Sequence, residues 1–320
     1  MSEHKARIAY RTELGVAYQS DIEVFLTSRP AGGHAGEVKL IITSPPYPLL
    51  KKKQYGNLQG EEYLQWITRV FSNVSNLLAP DGSLVIEIGN AWDPGQPSMS
   101  TLPLRALMAI AEENGMAVCQ QFVCHNPARL PGPAQWVTVN RLRAKDAFTH
   151  VWWFAKDPWL QADNRRVSQP YSKSMRRLLE RRSYNEGIRP SEHRINGTSF
   201  LNDNGGAIPS NVLSYANTSD SKEYVAWCRS IGVKVHPARM PVGLARFFID
   251  FLTSPGDTVM DPFGGSNVVG ATAEAQSRRW LTVERDSNYL LGSMGRFNRG
   301  EQRIRAHNQP YRDFVKSLPK

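Results

Sequence analysis

Thr43-Ser44-Pro45-Pro46-Tyr47 closes the apolar run Val38 to Ile42. The run reads as a buried strand, and two prolines, which cannot donate to a ladder, must end it. They also stiffen the corner and leave carbonyls with no competing N–H. Ser44 and the Pro45 carbonyl can therefore accept the hydrogens of an amine. An exocyclic amine on an aromatic base is a poor nucleophile because its lone pair is spread into the ring, and such acceptors would localise that pair and aim it. Tyr47 offers a ring face against which an extruded base can stack. Lys51, Lys52 and Lys53 follow as a cationic flank that could track DNA phosphates.

The electrophile is suggested by a second stretch, VMDPFGGSNVVGATAEAQSRRWLTVERD, which reads strand, Gly-rich turn, helix, strand, acid. Gly264 and Gly265 allow close backbone approach at a helix N-terminus. Glu284, 19 residues beyond Gly265 at the end of the next strand, can accept both hydroxyls of a ribose. A dinucleotide site would carry G-x-G-x-x-G for a pyrophosphate. Here Asp261 is expected to direct a negative charge into the crevice, which repels pyrophosphate and suits a cationic amino-acid end. S-adenosylmethionine, with ammonium, sulfonium and ribose but no phosphate, fits, and Phe263 can flank it.

A formal charge of +10 over 320 residues points to a polyanionic partner, nucleic acid before membrane. No apolar signal stretch opens the chain, the run Ala147 to Ala155 is too short to span a bilayer, and Cys119, Cys124 and Cys228 form no CxxC pair. A cytoplasmic protein with free thiols, no metal and no membrane partner is expected. None of the cysteines follows the Pro-Cys pattern that attack on cytosine C5 would need. Together these features suggest transfer of a methyl group to the amine of a base in double-stranded DNA. Cytosine N4 and adenine N6 both remain open, as do a non-catalytic DNA-binding scaffold and an RNA or protein methyltransferase.

To position these groups, apolar runs at 38–43, 84–88, 118–124, 148–155, 258–260 and 280–283 predict strands. Helices are predicted over 61–78, 102–113, 242–252 and 266–276, with a last one capped by Asp286 or Ser287, and a turn at Pro80-Asp81-Gly82. The alternation argues for an α/β fold with a mixed, mostly parallel sheet and helices on both faces. From Gln161 to Arg194 nine Lys/Arg face four acids, and an Asn/Gly/Ser-rich stretch follows, which favours a nucleic-acid contact region. Arg176, Arg177, Arg181 and Arg182 suit phosphates, whereas Arg189, Ser191 and His193 could reach base edges.

TSPPY preceding DPFGGSN, with HPARMPVGLARFFIDFL just upstream of the latter, resembles the β-group amino-methyltransferases of DNA. The likeness is greatest to their PvuII-type cytosine-N4 branch and extends through KKKQYGN, PARLPGPAQWVTVNRLRAKDAFTHVWWFAK, RPSEHRINGTSF and DNGGAIPSN, roughly Ala17 to Phe297. The resemblance implies a class I methyltransferase sheet of the seven-stranded type in permuted order. It implies a catalytic half at 1–156, a target-recognition region at 157–235 and a cofactor half at 236–320. Ser44, Pro45, Pro46 and Tyr47 would carry the amine chemistry. Asp261, Phe263, Gly265 and Glu284, with Thr43 and Asp21 as further candidates, would hold S-adenosylmethionine, leaving S-adenosylhomocysteine as product. A cognate restriction endonuclease is then a candidate partner. Asn267 stands where the family often has Gly, and Ser44 where adenine enzymes mostly carry Asp.

Overall fold

Val38–Thr43 is buried at every position but Lys39 because both its faces are covered. It lies inside a ten-stranded sheet in the computed structural model, which describes residues 6–47, 58–160, 162–184, 186–198, 200–216, 221–297 and the backbone of 305–306. Lys51, Lys52 and Lys53 lie outside the described residues.

In chain order the elements are β1 (Arg7–Arg11), β2 (Gly15–Gln19), α1 (Ile22–Leu26), α2 (Arg29–Gly32), β3 (Val38–Thr43), α3 (Gly60–Ser75), β4 (Leu78–Gly89), β5 (Ala91–Trp92), β6 (Met99–Ser100), α4 (Leu102–Glu113), β7 (Ala117–His125) and β8 (Phe148–Ala155). After these come α5 (Lys173–Arg181), β9 (Gly187–Ile188), β10 (Arg194–Ile195), β11 (Val212–Ser214), α6 (Lys222–Ser230), α7 (Val242–Leu252), β12 (Thr258–Asp261), α8 (Val268–Ala275), β13 (Arg279–Glu284), α9 (Ser287–Met294) and β14 (Arg305–Ala306).

The sheet order is β11-β7-β8-β4-β3-β12-β13-β2-β1-β14. Strands β2, β13, β12, β3 and β4 are mutually parallel, and β8 is antiparallel to both β4 and β7. The seven strands from β7 to β2 make the mixed, mostly parallel sheet, with β11, β1 and β14 added at its edges. On one face α3 packs its stripe Tyr63, Leu64, Ile67, Val70, Phe71 and Val74 with Leu107 and Ile110 of α4 against Ile41, Leu84 and Ile86. On the other, Phe247, Phe248 and Phe251 of α7 meet Phe122 and Trp153 edge-on.

The helix predicted to reach residue 78 stops at Ser75, and Leu77 and Leu78 are buried as the chain enters β4. The turn predicted at 80–82 is a bulge within β4. Val38 pairs with Leu78 and Leu40 already with Ser83, so the extra residues of β4 are pushed out of register. The helix predicted from 266 begins at Val268, because Asn267 is left-handed and caps it by accepting from Gly270 N at 3.0 Å.

Contacts divide the chain into Met1–Gln161 with Asn211–Lys320, and Ala162–Ser210. Thus β11 and α6 belong to the larger unit, β11 by parallel pairing with β7. The smaller unit has little core. It carries α5, capped by Ser172, whose residues are all exposed or half-buried, and the two-residue strands β9 and β10. The sulfurs of Cys119, Cys124 and Cys228 are free thiols.

Candidate active site

In an open α/β sheet, ligands sit beyond the carboxyl ends of the strands, where the connections diverge to opposite sides. Here that point lies between β3, which leads on to β4, and β12, which leads on to β13. Both sequence motifs leave the sheet there. A cavity of about 620 Å³ opens beyond these ends, lined by Ser44 to Tyr47 on one side and by Phe263, Glu284 and His236 on the other.

Thr43, the last residue of β3, is wholly buried, and its hydroxyl donates to Asp261 Oδ1 at 2.6 Å. The chain then turns through Ser44, Pro45 and Pro46. Ser44 Oγ and Tyr47 Oη are hydrogen-bonded at 2.9 Å, so the hydroxyl and the ring form one unit. The Tyr47 ring lies against the backbone of Gly89 at the end of β4, where an added Cβ would sit 2.8 Å from it. Burial, then the nearby Glu87 carboxylate, holds the Tyr47 phenol well above its ordinary range.

Glu87 was missed by sequence reasoning, although one acid inside LVIEIG is a visible anomaly. It is 6 % exposed and accepts from the Thr149 hydroxyl at 2.8 Å. Burial pushes its carboxyl up to about 7, against the pull of hydrogen bonds from Thr149 and Ser44 and of the Arg129 charge. A carboxyl poised near neutrality therefore stands directly behind the Ser44 hydroxyl.

Asp261 does not project into the cavity as its place in the motif had suggested. It is 5 % exposed, turned toward β3, and accepts from Thr43 Oγ1 and from Phe263 N at 3.0 Å. Burial pushes it to about 7, with Glu284 adding to the rise. Its near-neutral carboxyl braces the Gly-rich turn from behind. Thr43 likewise supports Asp261 and is not part of the cavity wall.

Glu284, ending β13, lines the cavity. Its Oε2 accepts from Gly265 N and its Oε1 from Asp286 N, both at 2.8 Å. Each oxygen keeps a lone pair for a further donor, which suits two vicinal hydroxyls. Burial raises its pKa. Gly265 is left-handed at φ 50°, and a Cβ there would meet His236 Nε2 at 3.0 Å, so the amide reaches Glu284 only without a side chain. Asp21 caps α1 by accepting from Glu23 N and also lines the cavity.

Three further wall residues escaped sequence reasoning. Trp66, within α3, packs on Phe263 with ring centroids 5.8 Å apart. His236 stands edge-on to Tyr289 at 4.4 Å, and both line the cavity. Aromatic walls, a carboxylate with spare lone pairs and a glycine-opened turn fit a cationic nucleoside such as S-adenosylmethionine. Among the described residues no group of three or more His, Cys, Asp or Glu side chains is placed to hold a metal ion, and no helix is long and apolar enough to cross a membrane.

Of the candidate DNA-binding residues, Lys51, Lys52 and Lys53 lie outside the described residues and the others fall in the smaller unit. Arg176, Arg177, Arg181 and Arg182 are exposed on or just after α5. Ser191 and His193 are exposed in the turn joining β9 to β10, and the Arg189 guanidinium lies over the Tyr184 ring at 5.6 Å.

Comparison with known proteins settles the family. The model of the DNA methylase family that joins the N6 and N4 enzymes matches residues 38–294. The chain belongs to this family. It is 41 % identical to the type II methyltransferase M.PvuII of Proteus hauseri over 92 % of this chain and 88 % of that protein. Superposition on the PvuII DNA methyltransferase structure, described as cytosine-N4-specific, gives a TM-score of 0.75 with 32 % identity, covering 98 % of this chain and 95 % of that one. The M1.HpyAVI–SAM complex shares the fold at a TM-score of 0.51 and 18 % identity, over 88 % of this chain and 98 % of that one.

Proposed function

We propose that this methyltransferase modifies the N4 amine of cytosine within a specific sequence of double-stranded DNA, as the modification enzyme of a type II restriction system. The observation that carries the reading is that Ser44 and Glu284, from the two separated motifs, open into one cavity. The identity to M.PvuII and the cytosine-N4-specific description of the matched PvuII structure support N4 over adenine N6.

The residues divide the work as follows. Tyr47, fixed on Gly89, receives the extruded base by stacking. Ser44 Oγ and the Pro45 carbonyl accept the amine hydrogens and turn the nitrogen lone pair out of the ring. Phe263, Trp66, Glu284 and Asp21 would hold S-adenosylmethionine, with Gly265 and Asp261 shaping the turn behind it. When bound, the cofactor supplies a methyl group made electrophilic by its sulfonium. Once nitrogen has gained a bond it must lose a proton, and Ser44 can pass that proton to Glu87. Positioning carries most of the remaining acceleration.

Within the smaller unit, the β9–β10 turn with Ser191 and His193 reads base edges, and the arginines of α5 hold phosphates. A restriction nuclease of the same specificity would be the partner system, and the cell's own DNA the substrate, in the cytoplasm. The test is to express the protein in a host lacking modification and sequence its DNA for modified bases. N4-methylcytosine at one recurrent sequence is expected, whereas N6-methyladenine would overturn the target base and unmodified DNA the activity.

A further inference from the structure

Residues 126–147, between β7 and β8, are absorbed by none of the roles above. The arm leaves the sheet at the edge where the cavity lies, because β7 runs parallel to β4 and β3, and β8 starts opposite the end of β4. With strands about 4.8 Å apart, its root at β8 lies two strands across the sheet from β3, roughly 10 Å in the strand-to-strand direction.

The root is braced. Asn126 N donates to Ala147 O at 2.7 Å. Asp146 accepts from Trp92 Nε1 at 2.7 Å and from Asn90 Nδ2 at 3.2 Å, tying the arm to the segment that follows β4. Arg129 donates to Phe148 O at 3.0 Å, and its charge is felt by both Tyr47 and Glu87. Asp146 N also holds Gly132 O at 3.2 Å, closing the turn that contains Leu130.

On this fixed turn Leu130 is 82 % exposed. One exposed leucine is ordinary. This one follows Arg129, which is tied to Phe148 O, precedes a proline, and belongs to an arm with four Arg/Lys and a single acid. Arg141, Arg143 and Lys145 are all exposed on it. A large apolar tip on a rigid cationic support is the chemistry of a side chain that enters a base stack.

We propose that Leu130 is the wedge that occupies the DNA stack when the target base swings out to Tyr47, while Arg141, Arg143 and Lys145 hold the flanking phosphates. This rests on the DNA-methylating function proposed above. Insertion replaces stacking that the departing base gives up, so the wedge is needed only when extrusion is opposed by a partner base.

The test uses the full chain and two duplexes carrying the site mapped by sequencing. In one, the target cytosine is paired with guanine. In the other it faces an abasic position. Leu130→Ala should methylate the paired duplex at least roughly tenfold more slowly than wild type and return to within about threefold on the abasic-opposed duplex, where extrusion costs less. Leu130→Met should keep the rate on both. Equal rates for Leu130→Ala and wild type on the paired duplex would overturn the wedge, and so would an equal loss on both duplexes. Thermal stabilisation by S-adenosylmethionine checks that the variant is folded. A wild-type protein that methylates neither duplex would refute the underlying function, a separate failure seen before any variant is made.

Discussion

Thr43 and Asp261, 218 positions apart in the chain, share a buried hydrogen bond of 2.6 Å. It joins β3, which leads into the Ser44–Tyr47 corner, to β12, which leads into the Gly-rich turn. Thr43→Val keeps the shape and removes the donor, leaving a buried carboxyl with one partner fewer. Such a loss costs about 1–3 kcal/mol. Chemical denaturation should show that decrease, and cofactor affinity measured by calorimetry should fall with it.

Ser44→Ala removes the proposed amine acceptor and the link to Glu87, but nothing proposed to hold the cofactor. Single-turnover methyl transfer should drop by roughly 10²–10⁴-fold, the range for a lost acid–base group. S-adenosylmethionine binding should stay near the wild-type value. A near-normal transfer rate would remove Ser44 from the mechanism.

Glu284→Ala should behave in the opposite sense. It takes away the acceptor for Gly265 N and Asp286 N together with the lone pairs proposed to meet the ribose. Cofactor affinity should weaken by at least about tenfold, one to two charge-assisted hydrogen bonds. The rate at saturating cofactor should change much less.

Glu87 sets a pH dependence. Burial raises its carboxyl to about 7, so the folded protein keeps this proton at pH values where the unfolded chain has released it. Folding therefore binds protons here. Its contribution to stability is full below the ordinary glutamate range and is lost as pH rises toward about 7. Asp261, also raised to about 7, acts in the same sense over the same window. If Glu87 takes the proton from Ser44, transfer should accelerate as pH climbs through about 7. Glu87→Gln should lose that rise, run roughly 10²-fold slower, and show a shallower fall of stability with pH. An unchanged pH–rate profile would exclude Glu87 as the acceptor.

Gly89→Ala tests the seat of Tyr47. The new methyl group would lie 2.8 Å from the ring, which has to move. A shift of about 1 Å in a positioning group can cost 10²-fold in rate. The loss should appear in transfer and in fluorescence readouts of base extrusion, with cofactor binding retained.

Local pattern and composition were enough to place α4 at 102–113, β8 at 148–155 and α7 at 242–252, because each is rich in apolar residues that the fold buries. They also placed Ser44 and Glu284 at strand ends, where the proposed chemistry would need them. What they could not supply depends on neighbours distant in sequence. The bulge in β4 exists only against β3. Glu87 becomes a candidate proton acceptor only because Thr149 and Ser44 arrive beside it. Asp261 was expected to face the ligand because its motif position suggests a cation partner. The side chain instead finds the Thr43 hydroxyl, which no spacing in the sequence announces. The braced arm at 126–147 has irregular backbone and a short π-helix at Gln135–Val139, so no hydrophobic period marks it.

Because β3 and β12 are spatial neighbours whose covalent connection takes the long way round, the cleft is a seam between two lengths of chain. Which length a ribosome makes first is immaterial to the chemistry. A gene cut between residues 162 and 210 would place the Ser44 corner on one fragment and the Gly-rich turn on the other. Neither piece could work alone, and activity would report their reunion.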